Sequence, residues 1–405
     1  MKHTDQPSLY YLFLKFLKIG SISFGGFMAL ISIVQKELVE KDKTVENDEL
    51  LDGISLATVL PGPVAVNVIA YLGYRLRGFR GGLVSMFAVI LPSFLLILVL
   101  SWIYFTYGNI PEFQQFFEGV LPAVAAIILS VSIRMARKNI NDRKQVLLAM
   151  ISFILIIWVG GFYITLLIVL GGAISGYFLF RPSQSGKKET YNLAGQLNEI
   201  PGWFKKNLRI VLVVTGIFLF LYFFPLIFLK DPAFSLLRKL FFTIGSVSVT
   251  LFGGGYVFIP MLQELVVNRM DWLTNQEFID GIAMGQITPG PIMISATFIG
   301  YKLAGIPGAV VGTVAIFLPP GILIMLASHI VGFLKRSPQL KAVFKGIHPA
   351  VIGMIFAASL IIGMSMPQEW LQFIILAASF ILAFSFRVDI LIIIPLAGLA
   401  GLLFA

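Results

Sequence analysis

Two Pro-Gly-Pro triplets interrupt apolar segments of this chain, Pro61-Gly62-Pro63 in the first half and Pro289-Gly290-Pro291 in the second. Proline favours the first turn of a helix, so each triplet predicts a half-helix whose free N–H groups and positive dipole end point at the break. Such an end attracts anions. In a membrane a break of this kind survives only where it is buried or lines a cavity. The triplets therefore predict an anion site, with a packing kink as the alternative.

Small and polar residues accompany these breaks. Phe24-Gly25-Gly26 and Phe252-Gly253-Gly254 mark one further break in each half, and their glycines Gly25, Gly26, Gly253 and Gly254 belong to the predicted site. The side chains predicted to coordinate an oxyanion, or alternatively to cap broken backbone, are Asn67, Gln286, Thr288 and Ser295.

Charged residues lie on the same segments. Arg75 and Lys302 end the half-helices that follow the triplets, which predicts anion attraction along the access path or, alternatively, cations that extend to the membrane interface. Asp52 and Asp280 lie among apolar residues, each followed by glycine. They are the predicted proton carriers if the protein works by a proton-coupled cycle. The alternatives are ion pairs with the other half, or a favourable place near a helix N-terminus behind the capping box Thr274-Asn275-Gln276-Glu277.

The composition indicates what positions these residues. Hydrophobic residues make up 58% of the chain and charged residues 12%, against roughly half and a quarter in soluble domains. The net charge of +10 comes from short Lys and Arg clusters between apolar runs. That pattern is typical of cytoplasmic loops rather than of a nucleic-acid-binding face. There is no cysteine, the three histidines lack metal-ligand spacing, and no nucleophile–base pattern is present. The sequence indicates no enzyme, no cofactor and no metal site.

Apolar segments long enough to span a membrane can be counted along the chain. In the first half they are the broken elements 8–41 and 47–74, the spans 82–107 and 116–135, and the shorter helices 145–159 and 162–180. In the second half they are the broken elements 232–268 and 274–302, then 306–332, 342–364, 370–386 and 388–405. A polar stretch, 181–207, predicts a linker, and 208–229 predicts one extra span. The predicted units are therefore 1–180, 181–229 and 230–405.

The landmarks of the first half recur in the same order in the second, which indicates a duplicated unit. Lys and Arg follow the span 116–135 in the first half but lie between the matching spans in the second. Because basic loops stay in the cytoplasm, the two copies are predicted to be antiparallel. The predicted fold is an all-α integral membrane protein of two inverted-topology repeats with broken helices, joined by one extra span. Whether the broken elements cross the membrane or re-enter is left open.

The motifs resemble those of the chromate transporter family, long two-domain type, over essentially the whole chain. The matching pieces are Ser23-Phe24-Gly25-Gly26, Leu60-Pro61-Gly62-Pro63, Gly73-Tyr74-Arg75-Leu76-Arg77-Gly78, Phe252-Gly253-Gly254-Gly255-Tyr256, Gly285-Gln286-Ile287-Thr288-Pro289-Gly290-Pro291 and Thr297-Phe298-Ile299-Gly300-Tyr301. The resemblance implies export of chromate, a tetrahedral dianion similar to sulfate. The first half departs from the family pattern at Phe27, Thr58 and Val64, where proline, glutamine and asparagine are usual.

We therefore expect a multi-pass secondary transporter of the cell membrane that exports chromate or a similar oxyanion, with its site at the interface of the two repeats. The alternatives are a transporter of sulfate or another oxyanion on the same scaffold, and a channel or non-transporting membrane protein. The expected partners are a small inorganic oxyanion and the lipid bilayer, without nucleic acid. The sequence leaves the oligomeric state open, a homodimer included.

Overall fold

The computed structural model describes residues 7–23, 27–108, 110–159, 162–180, 232–251, 258–328, 338–366 and 369–404. In these ranges the regular structure is helical, without any β-strand. Four of the described helices are long and apolar enough to cross a membrane. The predicted class, an all-α membrane protein, is therefore confirmed. The predicted linker and extra span, residues 181–229, lie outside the described residues.

The described helices follow the apolar segments of the sequence. In the first half they are α1 (Leu9–Ile22), α2 (Phe27–Val34, continued by a π-helix over Gln35–Lys41), α3 (Asn47–Val59), α4 (Val64–Tyr107), α5 (Pro111–Asn139), α6 (Arg143–Trp158) and α7 (Phe162–Leu179). In the second half they are α8 (Pro232–Thr250), α9 (Phe258–Gln263, continued by a π-helix over Glu264–Arg269), α10 (Asn275–Ile287), α11 (Ser295–Ala327, after a 3₁₀ turn over Ile292–Ile294), α12 (Pro338–Ser365), α13 (Trp370–Phe384) and α14 (Ile390–Phe404). Each element of one half has a counterpart in the other.

The segments broken by Pro-Gly-Pro fold back as antiparallel hairpins. In the first half the ring of Tyr71 in α4 packs on Gly53 in α3, where a Cβ would lie 2.7 Å from the ring. In the second half the ring of Phe298 in α11 packs on Gly281 in α10, where the same distance would be 2.5 Å. Because the two arms lie side by side, the chain returns to the end at which it entered. Both segments broken by Pro-Gly-Pro are therefore hairpins, whose two arms lie side by side.

Both long helices contain a second reversal, close to the end of the hairpin. Non-helical backbone interrupts α4 at Gly78, with φ of 62°, and α11 at Gly305, with φ of 59°. Beyond the reversal the chain passes back along the hairpin, since a Cβ on Gly73 would lie 2.5 Å from the carbonyl oxygen of Gly81. α4 and α11 therefore each consist of a hairpin arm followed by a longer segment that runs the other way.

Each half packs its last two helices against the other half. α6 and α7 pack on α12, and α13 and α14 pack on α5. Small residues let the backbones approach closely in such contacts: Gly346 of α12 lies against Gly176 of α7, and Gly119 of α5 lies against Gly401 of α14. α4 and α11 also pack on each other, and one hydrophobic cluster includes buried residues from both halves. This shared core brings the two sets of breaks together.

Candidate functional site

The two Pro-Gly-Pro breaks are joined across the halves by matching backbone hydrogen bonds. The Gly62 N–H donates to the Leu251 carbonyl at 2.8 Å, and the Gly290 N–H donates to the Ser23 carbonyl at 2.8 Å. Ser23 directly follows α1, and Leu251 directly follows α8. Each triplet therefore lies against the end of the first helix of the other half.

Glycine is required at the middle of both triplets. Gly62 has φ of +108° and Gly290 has φ of +112°, values that residues with a Cβ rarely adopt. Space is limited as well: a Cβ on Gly62 would lie 2.2 Å from Pro320 Cβ, and one on Gly290 would lie 3.2 Å from Ser93 Oγ. The flanking Pro61, Pro63, Pro289 and Pro291 are buried or partly buried.

The other predicted breaks flank the same region. Their glycines, Gly25, Gly26, Gly253 and Gly254, lie outside the described residues. On either side of the first of these breaks the chain also folds back, because Lys15 of α1 contacts Glu37 of the π-helix after α2 at 2.6 Å. The backbone that leads into the glycines, at Ser23 and Leu251, carries the acceptors described above.

Two buried side-chain amides lie next to the triplets, one in each half. Asn67, with no exposed surface, donates from Nδ2 to the Pro61 carbonyl at 3.1 Å, and its Oδ1 has no partner in the described ranges. Gln286 is 9% exposed, and among the described residues neither its Nε2 nor its Oε1 has a partner. An unsatisfied buried polar group costs about 1–3 kcal/mol. The Gln286 amide is therefore available to a ligand at the second break.

The predicted hydroxyl ligands are already engaged. The Thr288 hydroxyl donates to the Gly285 carbonyl at 3.0 Å, and the Ser295 hydroxyl donates to the Ile292 carbonyl at 2.8 Å. A hydroxyl has a single proton to donate. In this arrangement both residues satisfy broken backbone, and neither donates to an anion.

The predicted cations lie away from the breaks. Arg75 pairs with Glu49 at 3.3 Å, and Lys302 pairs with Glu277. Each pair joins the two arms of a hairpin at its open end, the end farthest from the Pro-Gly-Pro turn. The structure thus brings the triplets, Asn67 and Gln286 together with the ends of α1 and α8, and separates Arg75 and Lys302 from them.

A cavity of about 710 Å³ opens beside Lys302, between the end of α4 and the start of α5 on one side and α10 and α11 on the other. Asp280 of α10 lines it and is 1% exposed. The Tyr104 hydroxyl, from the first half, donates to Asp280 Oδ2 at 2.7 Å, and the Gln276 amide donates to Oδ1 at 3.0 Å. Asp280 is thus a buried contact between the halves.

Asp52, the matching carboxylate of the first half, is only partly buried in α3. The two predicted proton carriers therefore occupy different environments. The capping box predicted ahead of Asp280 is present, since the Glu277 N–H donates to the Thr274 hydroxyl at 3.2 Å and the Thr274 N–H donates to Glu277 at 2.9 Å. α10 therefore has both a capped N-terminus and a buried carboxylate, Asp280, that contacts the other half.

Sequence reasoning missed the partners of Asp280. Gln276 lies inside the predicted capping box, which already accounts for a polar residue at that position, so its contact with Asp280 was not predicted. Tyr104 is near the end of an apolar span, where tyrosine is common in membrane proteins. A contact between positions so distant in sequence has no local signal, and only the packing of α4 beside α10 reveals it.

The chain matches the model of the family described as "Chromate transporter" over residues 10–177 and 238–402. It belongs to the chromate transporter family. Membership supports chromate transport and a membrane setting, and it places the chain among transport proteins.

Three relatives match between 88% and 100% of the chain. An uncharacterised transporter of Methanocaldococcus jannaschii is 30% identical over 404 residues, which cover 100% of this chain and 96% of that protein. A probable chromate transport protein of Synechococcus elongatus is 30% identical over 405 residues, covering 98% and 96%. A chromate transport protein of Cupriavidus metallidurans is 29% identical over 357 residues, covering 88% and 82%. No solved structure matches the chain significantly.

Proposed function

We propose that this chromate transporter family member is a secondary transporter that exports chromate, or a similar tetrahedral oxyanion, across the cell membrane. The proposed substrate site lies at the interface of the two halves, where the Pro-Gly-Pro turns meet the ends of α1 and α8. The proposed units are a first repeat (1–180), a linker with one inverting span (181–229) and a second repeat (230–405).

The observation that carries this proposal is the buried amide of Gln286 beside the second break, which has no partner within the part of the chain that the structure describes. Its Nε2 offers two N–H donors, the groups that an oxyanion accepts from. Asn67 supports the first break by holding the Pro61 carbonyl. α4 begins directly after Pro63, so the unsatisfied N–H groups and positive dipole end of that helix point at the same region. None of these donors belongs to a basic side chain. Such a site suits an anion that must be released again, because no full positive charge holds it.

The paired cations fit the access path rather than the site. Arg75 and Lys302 lie at the open ends of the hairpins, and each is neutralised by a glutamate. Export of a dianion from a cell with a negative interior is favoured by about 2.3 kcal/mol per charge per 100 mV. The membrane potential therefore supplies a driving force without a fixed positive charge in the site.

A second candidate substrate is sulfate or another tetrahedral oxyanion on the same scaffold. The observation that favours it is Thr58, which stands where the family usually has glutamine. Its hydroxyl donates to the Ser55 carbonyl of its own helix at 2.9 Å, and the residue is exposed. Thr58 and Gln286 occupy matching positions in the two halves, and only Gln286 carries an amide. The ligand set therefore differs from that of a protein with glutamine at both positions.

The test is oxyanion flux in proteoliposomes that contain the full chain, with chromate detected chemically and sulfate and molybdate added as competitors. Gln286→Met keeps a similar side-chain volume but removes the amide. Losing a hydrogen bond to a charged ligand costs about 1.5–3 kcal/mol, so we expect affinity for chromate to fall roughly 10- to 100-fold. Gln372→Met, the same change at a buried glutamine of α13, is the matched control.

Equal chromate affinity in Gln286→Met and Gln372→Met, at equal abundance in the membrane, would place the site elsewhere. Absence of flux for all three oxyanions with the parent protein would favour a non-transporting scaffold. Unsaturable flux at rising chromate concentration would indicate a channel.

A further inference from the structure

The cavity beside Asp280 has a charge balance that does not suit an anion. Its lining includes three carboxyl groups, Glu118, Glu277 and Asp280, and one ammonium group, Lys302. That ammonium is already paired with Glu277 and lies over the Phe105 ring, 5.1 Å from its centroid. A dianion would meet a net negative wall here. A proton or another small cation would meet an attractive one.

Asp280 lies in this wall with neutral hydrogen-bond partners. Tyr104 comes from α4 of the first half, and Gln276 comes from the same helix as Asp280. A buried carboxylate is costly unless it is paired or hydrogen-bonded. Hydrogen-bond donors to a charged carboxylate are stronger partners than donors to its neutral form. The strength of the Tyr104–Asp280 contact therefore depends on whether Asp280 carries a proton.

The ionisable groups around Asp280 come from every wall of the cavity. α4 contributes Tyr104, α5 contributes Glu118, and α11 contributes Lys302. α10 itself contributes Glu277. The 3₁₀ turn over Ile292–Ile294, α9 and α14, which also pack on α10, have no acidic or basic residue within their described bounds. Among the described groups, no positive charge is paired directly with Asp280.

We infer that Asp280 is the proton-exchange residue of the transport cycle, and that Tyr104 is a positioning residue that links its charge state to the contact between the halves. This inference rests on the proposed function. One Asp280 oxygen binds a proton from water in the cavity, which converts the carboxylate to the acid and weakens the bond from Tyr104. The proton is released to water on the other side after the halves rearrange. One proton moves per Asp280 per cycle, and no other reactant is needed.

The experiment uses the full chain in proteoliposomes with the membrane potential clamped at zero. Exchange of chromate across vesicles at equal pH on both sides reports the anion site alone. A pH gradient of about 1 unit is then imposed, and the steady-state ratio of chromate concentrations is measured. Coupling of one proton to one anion allows that ratio to reach about tenfold, because one pH unit is a tenfold difference in proton activity. Without coupling the ratio stays at about one.

For Asp280→Asn we expect chromate exchange at equal pH to persist and the gradient-driven ratio to fall to about one. For Tyr104→Phe we expect gradient-driven transport to persist with its half-maximal pH raised by about one to two units, since removing the hydroxyl destabilises the charged carboxylate. Tyr107→Phe, at an exposed tyrosine one turn further along α4, should behave like the parent.

The outcomes separate this inference from the proposed function. Absence of exchange in the parent overturns the proposed function, and this inference falls with it. Exchange in the parent without accumulation under the pH gradient overturns only the inference. Accumulation by Asp280→Asn at the ratio of the parent also overturns it. An unchanged pH profile in Tyr104→Phe removes Tyr104 from the mechanism.

Discussion

The hairpin of α3 and the first arm of α4 has nearly the same backbone as the hairpin of α10 and the first arm of α11. The central glycines, Gly62 and Gly290, have φ values of +108° and +112°. Both donate a 2.8 Å hydrogen bond to the end of the first helix of the other half. Even the reversal that follows each hairpin is repeated, at Gly78 and Gly305. The polypeptide geometry of the breaks is therefore duplicated.

The polar side chains of the two halves are duplicated only in part, since Arg75–Glu49 and Lys302–Glu277 are matching pairs but other contacts differ. In the first half Lys15 and Lys18 contact Glu37 at 2.6 and 3.0 Å, and Lys15 also contacts Asp42 at 2.8 Å. The matching glutamate of the second half, Glu264, accepts instead from the neutral Asn268 of its own π-helix.

The buried carboxylate at the contact between the halves and the unpartnered glutamine belong to the second half. Asp280 and Gln286 are both buried, whereas Asp52 is only partly buried and Thr58 is exposed. The two halves therefore share a backbone but bury different side chains, and the groups proposed to bind a ligand and a proton, Gln286 and Asp280, both belong to the second half.

The largest expected effect concerns the orientation of the two halves, tested with single cysteines in a chain that has none of its own. Gln114 lies in the first turn of α5 and Lys345 lies about two turns into α12; both are exposed, and the two helices are counterparts. If the halves are inverted, an impermeant thiol reagent added to intact cells should label Gln114→Cys fully and Lys345→Cys not at all. Permeabilised cells, in which both should react, are the control. Labelling of both from outside would refute inversion.

The second largest expected effect is the loss of stability when a methyl group is added at either central glycine, Gly62 or Gly290. Gly62→Ala combines backbone strain of about 1–3 kcal/mol with overpacking against Pro320 of about 1–3 kcal/mol. Gly290→Ala has similar strain but meets only the Ser93 hydroxyl. We therefore expect Gly62→Ala to lower the melting temperature in detergent more than Gly290→Ala does. The reverse order would show that the first break has more room than the second.

The smallest expected effect concerns the ion pairs of the first half. Glu37→Gln removes the negative charge that pairs with Lys15 and Lys18 and replaces one of its two acceptor oxygens by an NH₂ group. Glu264→Gln changes a group whose described contact is with a neutral amide. We expect the first change to lower thermal stability more than the second, measured at neutral pH and low salt. Equal melting temperatures would mean that the ion pairs contribute no net stability, as many partly exposed pairs do not.

Much of the helical pattern followed from the sequence because its causes are local. The predicted helices at 145–159 and 162–180 correspond to α6 (Arg143–Trp158) and α7 (Phe162–Leu179). The capping box at Thr274 was readable since its partners are three residues apart. The separate segments 47–74 and 82–107, and likewise 274–302 and 306–332, predicted a boundary near Gly78 and near Gly305. The close return of the chain along the hairpin was not predicted, because it is evident only from glycine contacts such as Gly73 with Gly81.

The sequence by itself determined the membrane class, the duplicated breaks and the residues that make them, because hydrophobic length, proline and glycine act within a few residues of where they stand. Only the tertiary structure decided which groups meet. It separated Arg75 and Lys302 from the breaks, left Gln286 buried with no described partner, and placed Tyr104 against Asp280. Those outcomes depend on how two distant halves pack, and a buried polar atom acquires or lacks a partner only when that packing is complete.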